Sequence, residues 1–266
     1  MKVKDIMTKG VIYVNKRDDV DYILCLMDKY KITKAPVIED GKLVGIVTDN
    51  KIADKLGSIR SRGVTPARMH AMTVMEKKFY AVSPDTPIEE ILETVGEPGP
   101  TMLPVVSNEH LVGVITKADL LPLVDDDGSI KEIMSFPVIS VSPDDRVVHA
   151  RRLMIDKNIA RIPVVENGKI IGMISDWEIA NAFAKLKKGI SLGKQSSHIK
   201  NLLVRDVMKS PAITARDTIT IKEAAEIMMK NEVGCLPIVG GDEKIRGIVT
   251  RTDLLKRLLK KLKKRQ

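Results

Sequence analysis

An α+β fold built from four copies of one small unit is predicted by three features of this sequence. They are a fourfold repeat, paired apolar runs joined by turn residues, and amphipathic stretches between those pairs. The repeat is plain in KAPVIEDGKLVGIVTD, MLPVVSNEHLVGVITK, RIPVVENGKIIGMISD and CLPIVGGDEKIRGIVTR. Their prolines are Pro36, Pro104, Pro163 and Pro237, and a hydroxyl residue follows 12, 12, 12 and 13 positions later, at Thr48, Thr116, Ser175 and Thr250. A glycine stands three before each hydroxyl (Gly45, Gly113, Gly172, Gly247), and a methionine 29 before each proline (Met7, Met75, Met134, Met208).

Each element of the unit can be read in order. A short extended stretch (VIYV, FYAV, VISV, AITA) reads as a strand. The next segment, VDYILCLMDKY, IEEILETVGE, VVHARRLMIDK or IKEAAEIMMKN, repeats its apolar residues at three and four positions, the period of a helix with one buried face. The run after the proline is an apolar strand, a turn of Gly, Asn, Asp or Glu follows, and a second strand such as LVGIVT completes a hairpin. A closing helix is expected after each hairpin, as in NKIADKL or RTDLLKRLLKKL. The β-α-β-β-α units span 1–56, 73–123, 130–183 and 204–260, with a basic tail at 261–266. Units this small, with one-sided helices, bury their apolar faces by pairing with a neighbour.

Composition sets outer bounds. With 44% hydrophobic and 30% charged residues the chain belongs to the ordered globular class. No apolar run approaches the roughly 18–20 residues of a bilayer span, and MKVKDIMTKG lacks the apolar core of a signal peptide. Cys25 and Cys235 lie far apart in apolar surroundings and give no pattern of a disulfide framework or a four-ligand zinc site, so a reducing, cytoplasmic setting is expected. His70, His110, His149 and His198 show no metal-ligand spacing and no partner for nucleophilic catalysis. The 13 methionines read as adaptable core residues.

The net charge of +9 is localised: residues 256–266 hold seven Lys and Arg, and removing these from the 44 leaves 37 basic against 35 acidic residues. Leu254, Leu255, Leu258, Leu259 and Leu262 share one face of a helix whose remainder is basic. Three readings stand: a capping helix with a solvated basic face, contact with an acidic protein or a nucleic-acid backbone, and, least favoured, an anionic membrane surface. Eight aromatic residues leave little for a stacking platform.

The signature G-h-h-[TS]-x-x-D, with h apolar, recurs at fixed spacing over nearly the whole chain and resembles the cystathionine β-synthase (CBS) domain. That resemblance implies pairing of repeats one with two and three with four into two Bateman modules. The modules would form a disc within one chain, as in the γ subunits of AMP-activated protein kinase, or an assembly of two chains. It further implies clefts for AMP, ADP, ATP or S-adenosylmethionine, and control of a protein partner in trans.

The repeated hydroxyl and the acid three positions on have two readings. One is a capping box, which satisfies orphan N–H groups at a helix start. In the other, the free N–H groups and dipole of that helix end suit a phosphate, and the carboxylate can accept both hydroxyls of a ribose. The matching Thr and Asp play these roles in CBS domains. Thr116-Lys117-Ala118-Asp119 and Thr250-Arg251-Thr252-Asp253 keep the acid and add a cation. In Thr48-Asp49-Asn50-Lys51, Lys51 cannot accept a diol and Asp49 repels phosphate; Ser175-Asp176-Trp177-Glu178 carries the same repelling Asp and a longer acid. One nucleotide per module, at repeats two and four, is the expectation, with Asp119 and Asp253 on the ribose.

By the same resemblance the nucleobase lies against Phe79, Tyr80 and Leu103 in repeat two and Ala212, Ile213 and Leu236 in repeat four, plain core packing being the competing reading. Arg161, two before Pro163, could reach a phosphate in the third cleft, where Ser175 and Glu178 form a weaker set, as Thr48 does in the first. Lys117 and Arg251 compete with a reading as ordinary solvated residues, and Arg151 and Arg152 are expected to face solvent. No P-loop, Rossmann fingerprint or nucleophile–base set is present, so a sensor rather than an enzyme is expected, with no catalytic cofactor and no metal. The alternatives are a nucleic-acid-binding regulator that uses residues 256–266, with the clefts as its sensing half, and a scaffold with empty clefts.

Overall fold

In the computed structural model, which describes residues 1–58, 63–96, 101–189 and 195–264, every repeat is centred on an antiparallel hairpin. The hairpins are β2–β3 (Lys34–Glu39, Lys42–Thr48), β4–β5 (Met102–Ser107, His110–Thr116), β6–β7 (Arg161–Glu166, Lys169–Ser175) and β9–β10 (Cys235–Val239, Ile245–Thr250). The first three close through two residues of positive φ: Asp40-Gly41, Asn108-Glu109 and Asn167-Gly168. Such turns match the twist of the flanking strands. The fourth has a longer connection over residues 240–244, which accounts for its spacing of 13 rather than 12.

The extended stretch before each hairpin pairs parallel to the hairpin's first strand, but only briefly. It forms β1 (Val14–Asn15) and β8 (Ala215–Arg216), and single bridges from Val82 to Val105 and from Val141 to Val164. The long helices before the hairpins are α2 (Val20–Tyr30), α5 (Ile88–Val95), α6 (Val147–Lys157) and α9 (Ile221–Lys230). Those after them are α3 (Asp49–Gly57), α7 (Asp176–Gly189) and α10 (Arg251–Lys263). Shorter helices α1 (Val3–Ile6), α4 (Ala71–Val74) and α8 (Gln195–Asn201) lie on the segments that lead into repeats one, two and four.

Repeat two departs from expectation. After Thr116 it makes a turn and a 3-10 helix at Leu121–Leu123 instead of an α-helix. Pro122 cannot donate within a helix, and the acidic run that follows offers no apolar stripe to bury.

The lead-in segments cross between partners. The backbone of Thr8 pairs with Val114, Glu76 with Ile46, Ser135 with Ile248 and Lys209 with Met173. Repeats one and two therefore clasp each other, as do three and four. Apolar packing runs across these pairs. One core joins α2, α3 and the hairpin of repeat one to α6, α7 and the hairpin of repeat three. A second joins α5 and repeat two to α9, α10 and repeat four. Strand-edge exchange thus builds the modules, and helix packing joins them into one four-repeat body.

Candidate ligand clefts

All four hydroxyl residues occupy the same place: the end of the hairpin's second strand. The amide after each hydroxyl donates to the residue three before the repeat's proline. Asp49 N donates to Thr33 O (2.9 Å), Lys117 N to Thr101 O (3.3 Å), Asp176 N to Ala160 O (3.2 Å) and Arg251 N to Gly234 O (3.2 Å). The capping geometry is formed. In repeat four, Thr250 N and Oγ1 both donate to Asp253 Oδ2 (2.8 and 2.6 Å). In repeat two, Thr116 N and Oγ1 both donate to Asp119 Oδ2 (2.7 Å each), although no α-helix follows. Ser175 makes the same pair of bonds to Glu178, while Thr48 only accepts from Lys51 N at 3.2 Å.

The second carboxylate oxygen is the one a ribose would use. Asp119 Oδ1 accepts a long bond from Thr8 Oγ1 (3.3 Å), and among the described residues Asp253 Oδ1 accepts none. Lys51, which replaces the acid in repeat one, pairs instead with Glu76 of repeat two at 3.0 Å.

The cations converge. Lys117 is 3% exposed and its Nζ donates to Thr252 Oγ1 of repeat four at 2.7 Å, so the solvated reading of this residue is wrong. Burial, and then the charge of Arg161, hold the Arg251 guanidinium below its ordinary pKa, and its Nε is buried with no hydrogen-bond partner among the described residues. Arg161, expected at the third cleft, reaches across to repeat four: its Nη1 lies 3.0 Å from where a Cβ on Gly234 would stand. Lys34, which the sequence reading missed, does the same in the first module by donating to Thr101 Oγ1. A signal was available, because Lys34 precedes Pro36 by the two positions that separate Arg161 from Pro163. Each module thus sets a cation from its first repeat beside the residue whose carbonyl accepts from the N–H after the hydroxyl of its second.

Repeats one and three instead bring acids together. Asp176 is 1% exposed and bound by Arg151 Nη1 at 2.5 Å and by Asn50 Nδ2 at 3.0 Å. Arg151 is 7% exposed, contrary to its reading as a solvent-facing residue, and Arg152 is exposed as expected. Burial and then the nearby Asp176 charge raise the Asp49 pKa to about 6. Burial also raises that of Asp176.

The proposed base-binding residues divide. Leu103 and Leu236 are fully buried in the core shared by repeats two and four, as the packing alternative has it. Phe79 packs on the seam of Ile46, Met102 and Val114 between repeats one and two; Ile213 and Ala212 are half-buried, and Tyr80 is exposed.

Several cations of the basic helix are paired within the chain. Arg257 binds Asp126 (2.9 Å) and Glu132 (3.0 Å), Lys263 binds Glu93 (2.7 Å), and Lys261 donates to Asp125 O. These acids lie in the link between repeats two and three, at the start of repeat three and on α5. Arg265 and Gln266 lie outside the described residues. Among the described residues no group of acids, cysteines and histidines is arranged to hold a metal, and no helix is long and apolar enough to cross a membrane.

Four strand-exchanged repeats, each ending its hairpin in a hydroxyl, define a protein of two Bateman modules. The CBS domain model matches residues 3–58, 71–128, 130–185 and 204–260, and the chain belongs to the CBS domain family. Protein MJ1225 of Methanocaldococcus jannaschii is 28% identical over 96% of this chain and 97% of its own. Its crystal structure, described as that of a proposed archaeal homolog of γ-AMPK, covers 97% of this chain and 99% of its own at a TM-score of 0.84 and 27% identity. A conserved protein of Pyrococcus horikoshii shares the fold at 20% identity, covering 97% of this chain and 100% of its own with a TM-score of 0.61. The CBS pair of protein MJ0100, solved with 5′-methylthioadenosine and S-adenosyl-L-methionine, is 27% identical, covers 50% of this chain and 97% of its own, and has a TM-score of 0.43.

Proposed function

We propose that this chain is a regulatory sensor of adenosine phosphates that binds one nucleotide per module, at repeats two and four, and acts on a partner protein in trans. The observation that carries this reading is that a cation from the first repeat of each module reaches the residue beside the hydroxyl loop of the second. Arg161 and Arg251 meet around Gly234, and in the first module Lys34 donates to Thr101, whose carbonyl accepts from the backbone N–H of Lys117. Each arrangement lies beside a Thr–Asp set, Thr116–Asp119 or Thr250–Asp253, whose second carboxylate oxygen is free or weakly held. In the fourth cleft a phosphate would offset the mutual repulsion of Arg161 and Arg251 and satisfy the buried Arg251 Nε, while the carboxylate accepts the ribose diol.

The same charge argues for AMP, ADP or ATP over S-adenosylmethionine, whose sulfonium is itself a cation. In repeats one and three the positions next to the hydroxyl hold Asp49 and Asp176, which disfavours an anion there. The family model covers most of the chain, which supports a role without catalysis of its own. The nucleic-acid alternative loses support because Arg257, Lys261 and Lys263 are occupied within the chain.

Thermal unfolding with each ligand tests the reading, since a ligand that binds only the folded state raises Tm. AMP, ADP and ATP should raise it, and S-adenosylmethionine should raise it less. Failure of all four to shift Tm at millimolar concentration would overturn the proposal.

A further inference from the structure

The two modules meet through equivalent positions of diagonal repeats. The residue just after the hydroxyl of one repeat bonds the residue two after the hydroxyl of the other: Asp176 accepts from Asn50 Nδ2 (3.0 Å), and Lys117 Nζ donates to Thr252 Oγ1 (2.7 Å). Between repeats one and three this contact joins an acid to an amide and is locked by Arg151. Between repeats two and four it joins a cation to the first turn of α10, one residue from both Arg251 and Asp253. The charge of Asp119 in repeat two also acts on the Arg251 guanidinium of repeat four.

From this geometry we infer that Lys117 is shared between the second and fourth clefts and couples them negatively through Thr252. The inference rests on nucleotide binding at those two clefts. A phosphate beside Thr116 draws the Lys117 ammonium toward itself and removes a cation from the start of α10, where a second phosphate would sit. Two anions so close to one shared cation also repel each other, and burial of that cation limits screening by water. Binding at either cleft therefore weakens the other, by the same factor in both directions. Occupancy would be graded over a wider range of nucleotide concentration than two independent sites allow.

Titration calorimetry with AMP on the full chain tests this, comparing the wild type with Thr252→Val and Thr252→Ser. The wild type should bind two equivalents with stepwise affinities separated by about tenfold beyond the statistical factor, within the usual range for coupled sites. Thr252→Val, which removes the hydroxyl at nearly constant volume, should keep two equivalents but shrink that gap to about twofold. Thr252→Ser should restore it. An unchanged gap in Thr252→Val, or statistically independent sites in the wild type, overturns the coupling and leaves the sensor reading standing. Absence of AMP binding to the wild type overturns both.

Discussion

The sulfur of Met7 lies 2.6 Å from the point where a Cβ on Gly113 would stand, and the other three landmark pairs repeat the relation. Met75 faces Gly45 (2.9 Å), Met134 faces Gly247 (2.8 Å) and Met208 faces Gly172 (2.9 Å). The methionine and glycine that recur in the sequence are thus two halves of one contact, made across each module. Glycine is required there for lack of bulk rather than for its backbone freedom, since none of the four has a positive φ. Gly45→Ala would also push against the backbone carbonyl of Glu76, at 2.9 Å. It should cost about 1–3 kcal/mol by overpacking. Gly189→Ala, with nothing within 4 Å, should change stability by less than about 0.5 kcal/mol. Urea unfolding of both variants checks this.

That contact also shows how far the sequence could be read. Hairpins, long helices and repeat spacing were legible because they are local: alternation, turn residues and helical period lie within one unit. The partner of each methionine was not, because spacing along the chain does not say which repeat it crosses to. Arg151 and Lys117 were misjudged for a related reason. Each looks like a surface cation until a diagonal repeat supplies Asn50 or Thr252. Pro122 was visible, yet its effect on the second closing helix was not drawn from it.

The Arg151–Asp176 pair is buried on both sides, with side-chain exposures of 9% and 2%. Removing one partner leaves an uncompensated charge, so Arg151→Met should cost about 3–5 kcal/mol. The double variant Arg151→Met with Asp176→Asn should recover a large part of that loss, because it removes both charges together. Urea denaturation of the two variants measures the difference.

Asp49 gives the fold a specific pH dependence. Its pKa is near 6 when folded, against 3.8 ordinarily, so between these values the folded state holds more protons than the unfolded. Stability from this group is therefore greatest at low pH, falls as pH rises from about 4 to about 6, and then levels off. Asp49→Asn should remove that slope and stabilise the protein at pH 7 by about 2–3 kcal/mol. Unfolding measured at pH 4.5 and pH 7 tests the direction.

For the acid that pairs with the middle of α10 the sign reverses. The Arg257 hydrogen bond holds Asp126 below the usual carboxylate pKa, so this pair stabilises above the ordinary value of 3.8 and is lost as pH falls through the folded one. Asp126→Asn should cost about 1 kcal/mol at pH 7, discounted for the partial exposure of Arg257, and less in high salt. Amide hydrogen exchange over residues 256–264 should quicken in this variant.

Titration calorimetry with AMP on Asp119→Ala, Asp253→Ala and their double variant measures directly where the nucleotide binds. Each single variant, checked for folding by circular dichroism, should bind one equivalent where the wild type binds two, and the double variant should bind none. Two equivalents in the double variant would contradict the assignment of the clefts to repeats two and four.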